Sequence, residues 1–127
     1  MKENYLIVVD MQNDFMQTSG KLYVKGADKI INSANIFFRQ ISPNSLDYVF
    51  VKFDTHFKVE YFNSPEYSES KFSIHCEYGT EGWKLAVDIS PLKNKSNVLF
   101  MGKNVFDMWG SNQHGVNSIN ISDKQDG

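Results

Sequence analysis

Cysteine is almost missing from this sequence: among 127 residues it occurs once, at position 76. A lone cysteine cannot form an internal disulfide, so a reducing compartment and a cytoplasmic location are expected. A dominant charge is missing too. Thirteen Lys and Arg against fifteen Asp and Glu leave a formal charge of -2, which offers nothing to nucleic acid or to an anionic membrane. Long hydrophobic runs are absent. The longest early one, YLIVV at 5–9, follows charged residues and is far too short for a signal peptide or a membrane span. There are no repeats and no low-complexity block. What is present is enough chain for one compact domain with one core, with 10 Phe, 6 Tyr and 2 Trp to fill it.

Residues 5–9 are continuously apolar and stop at Asp10, the pattern of a strand buried on both faces of a parallel sheet. Ile30, Ile31, Ala34, Phe37 and Phe38 recur at helical spacing over 27–39, after Gly26 and before the turn SPNS. LDYVFVKF at 46–53 predicts a second strand and VLFM at 98–101 a third. Residues 57–82 are polar and aromatic with little periodicity, and read as an excursion that builds a site. Strand, helix, strand, excursion, strand is the order of a parallel α/β sheet. Such sheets bind ligands beyond the carboxyl ends of their strands. The three strands deliver Asp10, then Asp54 with His56, then Lys103 to that edge. One polar residue after a strand means little, but three make a constellation.

FSIHCEYGTEGW, residues 72–83, sets Cys76 beside His75, the minimal pairing for a nucleophilic thiolate. The wider pattern reads differently. VVDMQNDF, the DTH closing the second strand, HCEYGTEGW and the lysine of GKNVFDMW stand in one order along the chain. From residue 5 to about 110 this resembles the nicotinamidase and isochorismatase-like cysteine hydrolases, most of all their metal-containing amidase branch. The resemblance implies a three-layer α/β/α isochorismatase-like fold with a parallel sheet. It also implies deamidation of nicotinamide or a similar small aromatic amide, a triad of Asp, Lys and Cys, and a divalent metal, often zinc. Carried over residue by residue, it makes Asp10 the triad carboxylate, Lys103 the triad lysine, and Asp54, His56 and His75 the metal ligands. It places Phe15 in the aromatic wall of the substrate pocket, with Trp83 expected near it.

The residue chemistry agrees with that reading. Zinc takes imidazole nitrogen and carboxylate oxygen, and the i, i+2 spacing of Asp54 and His56 lets an extended segment direct both to one side. In the family motif the histidine is the ligand, and Cys76 is then a packed small thiol. A metal-bound imidazole is neutral and cannot serve as the cationic partner of a thiolate.

The family's nucleophile lies later, at the end of a fourth strand, and no second cysteine occurs here. Residues 111–127 hold only Val116, Ile119 and Ile121 as large apolar residues, a polar tail expected to be disordered and a poor fourth strand or helix. The sequence therefore reads as an incomplete hydrolase domain over 1–110, truncated after its third strand. Without a fourth strand, YLIVV becomes an apolar edge with unpaired backbone groups, which invites self-association. Two function classes stay open. One is a metal-dependent amidase that is inactive alone for want of the thiol. The other is a non-catalytic metal- or ligand-binding remnant, or a partner subunit of a split hydrolase. Ser111 and His114 are the weak substitutes for a nucleophile and its base.

Overall fold

The computed structural model describes residues 3–93, 97–103 and 116–118. Strand β1 (Tyr5–Val9) pairs in parallel with β2 (Tyr48–Asp54), and β2 pairs in parallel with β3 (Val98–Lys103). This is the α/β class with a parallel sheet that the sequence predicts. The register aligns Val9 with Lys52 and Asp54 with Lys103, so all three strands run out toward one edge. Helices α1 (Asn13–Met16), α2 (Ile31–Gln40), α3 (Lys58–Tyr61), α4 (Pro65–Ser70) and α5 (Ser90–Lys93) fill the connections.

A fourth strand, β4 (Val116–Ser118), lies antiparallel on β3, with Lys103 opposite Val116. This corrects the expectation that the tail is a poor strand. A three-residue edge strand is held by backbone pairing and needs little apolar surface of its own. The other tail residues, Ser111 and His114 among them, lie outside the described residues.

Strand alternation sorts the apolar residues onto two faces. Leu6 and Val8, Val49, Val51 and Phe53, and Val98 and Phe100 share the inner face, where they meet Phe38 and Ala34 of α2 and Leu92 of α5. Val51, Phe53 and Leu92 are fully buried, and each such side chain contributes about 1.5–3 kcal/mol. Gly26, with a φ of 92°, turns the chain into a short 3-10 turn over Ala27–Ile30 that leads into α2. Among the described residues the opposite face of the sheet is open: Tyr5, Ile7, Val9, Tyr48 and Leu99 are each 39–50% exposed, so β1 is buried on one face and not on the two that its apolar run predicts. Among the described residues β1 has a strand partner on one side only, and an apolar cleft of about 310 Å³ runs between it and α2, past Ile7, Met11, Ala34 and Phe37.

Candidate metal centre and catalytic pair

At the carboxyl edge, β1 passes into Asp10 and the segment 11–16. Gln12 is fully buried and works as a piece of strand ladder. Its Nε2 donates to the carbonyls of Asp54 and Trp83, both at 2.8 Å, and its Oε1 accepts the Asp54 N–H at 2.9 Å. The end of β2 is thereby pinned beside the end of β1.

Just beyond that pin, four buried side chains converge: Asp54, His56, Glu66 and His75, whose ligand atoms all lie within 4.8 Å of one another. Asp54 Oδ2 is 3.1 Å from Nε2 of both histidines, and Glu66 Oε2 is 3.3 Å from His56 Nε2 and 3.4 Å from His75 Nε2. Two neighbouring vertices of a tetrahedron around zinc, at about 2.0–2.2 Å from the ion, stand about 3.3–3.6 Å apart. The cage is close to that size. The His75 Nδ1–H donates to the Ser73 carbonyl at 2.7 Å, which turns Nε2 toward the centre, where on loss of its proton it would present a lone pair, the arrangement common to metal-bound imidazoles. Asp54 Oδ1 and Glu66 Oε2 are buried without hydrogen bonds and are met only by longer ion-pair contacts, with Lys103 Nζ at 3.7 Å and with the two imidazoles at 3.3 and 3.4 Å, which a cation at the centre would improve on. The donor set fits a divalent cation of the zinc type.

The electrostatics carry the same mark. Burial works against charge on all four groups, and their mutual contacts more than offset it. Asp54 falls to about 2 beside the two imidazoles, and Glu66 is likewise lowered by them. His56 is raised and His75 reaches about 10, each held protonated by Asp54 and Glu66. Cation binding must displace those protons.

The second constellation adjoins the first. Lys103 Nζ lies 3.0 Å from Asp10 Oδ2 and 3.7 Å from Asp54 Oδ1. Burial lowers the Lys103 pKa, but Asp54 and then Asp10 raise it further, so it stays an ammonium. Asp10 is pushed up by burial, against which Lys103 pulls down and Asp54 adds repulsion. The two directions are compatible because Lys103 serves two carboxylates and Asp10 has one cation. Asp10 also sits at a positive φ of 56°, in the left-handed region that Asp tolerates better than most residues.

The structure thus brings together Asp10, Lys103, Asp54, His56 and His75. Phe15 sets its ring edge-on against His75, with centroids 5.5 Å apart. Trp83 packs into the core. Its indole is fully buried against Phe53 and Tyr78, and Nε1–H donates to Thr55 Oγ1, a core position because the loop 79–83 folds inward over β2. Cys76 is fully buried as well, and burial with three surrounding aspartates pushes its thiol far above the ordinary range. Glu66 escaped the sequence reading. Its one signal is Ser64-Pro65-Glu66, in which Ser64 caps α4 through the Tyr67 N–H and Pro65 opens the helix.

The isochorismatase-domain family model matches residues 4–117. Among solved structures, the nicotinamidase/pyrazinamidase of Bacillus subtilis is 30% identical with a TM-score of 0.70, over 87% of this chain and 61% of its own. The pyrazinamidase of Pyrococcus horikoshii, solved in complex with zinc, is 30% identical with a TM-score of 0.59, over 78% of this chain and 51% of its own. The pyrazinamidase/nicotinamidase of Streptococcus mutans is 26% identical with a TM-score of 0.71, over 86% and 61%. No curated protein matches the sequence. A parallel α/β sheet with a four-donor cage and a lysine–carboxylate pair at its carboxyl edge defines the class. The chain belongs to the isochorismatase-domain family, and it spans 61% or less of the length of these three structures.

Proposed function

We propose that this chain carries the metal centre and two of the three catalytic groups of a nicotinamidase-type amidase, acting on nicotinamide or a related small amide in the cytoplasm. The observation that carries the proposal is the contact of Lys103 with both Asp10 and Asp54, which joins the catalytic pair to the cage. Asp54, His56, Glu66 and His75 would hold zinc. Bound there, the ion would supply a Lewis acid that fixes or polarises the amide.

The chain's own groups have separable tasks. Asp10 Oδ2, pushed up by burial, is suited to accept the proton of an attacking thiol. Lys103 supplies positive charge to the thiolate and to the developing oxyanion. Phe15 presents an apolar ring beside His75, where a flat heteroaromatic amide would rest. In the reaction the thiolate adds to the amide carbon, ammonia leaves with a proton, and water releases the acid from the thioester. Cys76, buried and hard to ionise, is not that thiol. The 127 residues alone therefore release little or no ammonia from nicotinamide.

The second reading, a non-catalytic metal-binding chain or one subunit of a split hydrolase, is favoured by the same burial of Cys76. The open edge of β1 and its apolar cleft support association, either with such a subunit or with another copy of this chain. The test pairs metal analysis of purified protein with ammonia release from nicotinamide. Zinc near one per chain supports the centre, and turnover abolished by Cys76→Ala would overturn the assignment of the thiol.

A further inference from the structure

Between Phe72 and Cys76 the chain makes no strand or helix, yet it places His75 Nε2 3.1 Å from Asp54 and 3.4 Å from Glu66 in the cage. Its hydrogen bonds account for the hold. Upstream, the Tyr61 hydroxyl donates to the carbonyls of Phe72 and Ser73. Downstream, the Cys76 carbonyl accepts the His56 N–H at 3.0 Å, and the Cys76 N–H donates to Asp14 Oδ2 at 2.8 Å. Cys76 has a φ of 48°, a left-handed turn that a non-glycine residue keeps only when its surroundings impose it.

Asp14 is only 5% exposed, and its other oxygen accepts the Lys21 N–H at 3.1 Å. A carboxylate is strained by burial unless it is used, and here both oxygens are spent on backbone amides. The space it occupies belongs to Gly82, where an added Cβ would stand 2.2–2.3 Å from the Asp14 carboxylate atoms. The carboxylate is the movable party, so any side chain at 82 would drive it off the Cys76 amide.

We propose that Asp14 is a positioning residue for the metal centre: through the Cys76 amide it fixes the direction of His75, and Gly82 is glycine to leave it room. This rests on the metal reading given above. Asp14 touches no donor atom of the cage and acts entirely through the backbone of residue 76. It goes beyond the DMQNDF motif by giving Asp14 a separate task from Asp10.

The experiment measures zinc affinity of the full chain by competition with a chromogenic chelator, the absorption spectrum of the cobalt-substituted protein, and urea stability of the metal-free protein. Asp14→Ala and Gly82→Ala should each weaken zinc binding by about 10–100-fold, the usual effect of removing an outer partner of a ligand, and should alter the cobalt spectrum. Phe38→Leu, a core change on α2, should lower stability and leave affinity within about threefold. Should Asp14→Ala fail to fold, Gly82→Ala and Asp14→Asn, which keeps one acceptor, carry the comparison. Wild-type protein that binds no zinc sinks the metal reading and this inference together. Wild-type binding with unchanged affinity and spectrum in the variants sinks the inference alone, as does an equal loss in Phe38→Leu.

Discussion

Gln12→Ala is the sharpest perturbation of the end of β2 that the structure offers. The side chain has zero exposure and makes three hydrogen bonds of 2.8–2.9 Å, all to backbone groups of Asp54 and Trp83. Its loss leaves three buried backbone groups without that partner, at about 1–3 kcal/mol each, so the variant should lose about 3–9 kcal/mol. Against a total stability of about 5–15 kcal/mol for an ordinary domain, that is a large fraction. Gln12→Glu, nearly isosteric, turns the donor that serves two carbonyls into an acceptor and buries a charge, and should be at least as harmful. Gln17→Ala, at an exposed position on the same turn, should stay within about 0.5 kcal/mol. Urea unfolding followed by tryptophan fluorescence reads all three, because Trp83 is in the core. A loss below about 1 kcal/mol in Gln12→Ala would refute the claim that this amide substitutes for a ladder between β1 and β2.

Glu66→Gln should weaken zinc binding by about tenfold or more while His56→Ala should nearly abolish it, read by chelator competition and metal content; equal affinity in Glu66→Gln would remove Glu66 from the cage. For the metal-free protein, His75 is raised from 6.5 to about 10 on folding, so its stabilising contribution is complete below pH 6.5 and is lost as pH rises toward 10. Melting temperature should therefore fall between pH 7 and 10, with a flatter slope in His75→Gln, and a rise over that range would count against the buried cluster. Cys76→Ala should leave ammonia release from nicotinamide at the wild-type level in a colorimetric assay. Ile7→Lys should reduce self-association in sedimentation velocity, since Ile7 is 47% exposed on the open face, and an unchanged distribution would argue against that face.

Much of the architecture was legible because the sequence states it locally. YLIVV is a continuous apolar run and YVFVKFD one interrupted only by Lys52, each ended by a carboxylate, too short for a helix and consistent with strands of a parallel sheet. Ile31, Ala34 and Phe38 repeat at helical spacing and do face the core. Asp10 and Lys103 meet because parallel strands must deliver their ends to one edge. Glu66 was hidden for the opposite reason: its approach depends on how an aperiodic excursion folds back, and only the cap of α4 is encoded nearby. The full burial of Trp83 was not legible, because an aromatic beside a glycine-rich turn looks alike whether the turn folds over the core or away from it. Its partners Phe53, Thr55 and Tyr78 come from different segments. Strand β4 was missed because edge pairing is written in the backbone of β3 and hardly at all in Val116–Ser118.

Asp10 holds a left-handed backbone conformation and a buried oxygen, Oδ1, with no hydrogen-bond partner. Glycine at that position would relieve a backbone cost of about 1–2 kcal/mol and remove the stranded oxygen in the same stroke. Lys103 would keep its contact with Asp54, so the ammonium would not be left alone. Selection for robustness and selection for chemistry thus pull residue 10 in opposite directions. A library sorted by survival of heating would drift toward a firmer protein that has given up the carboxylate proposed as its proton acceptor, and the persistence of aspartate would itself signal that chemistry is under selection.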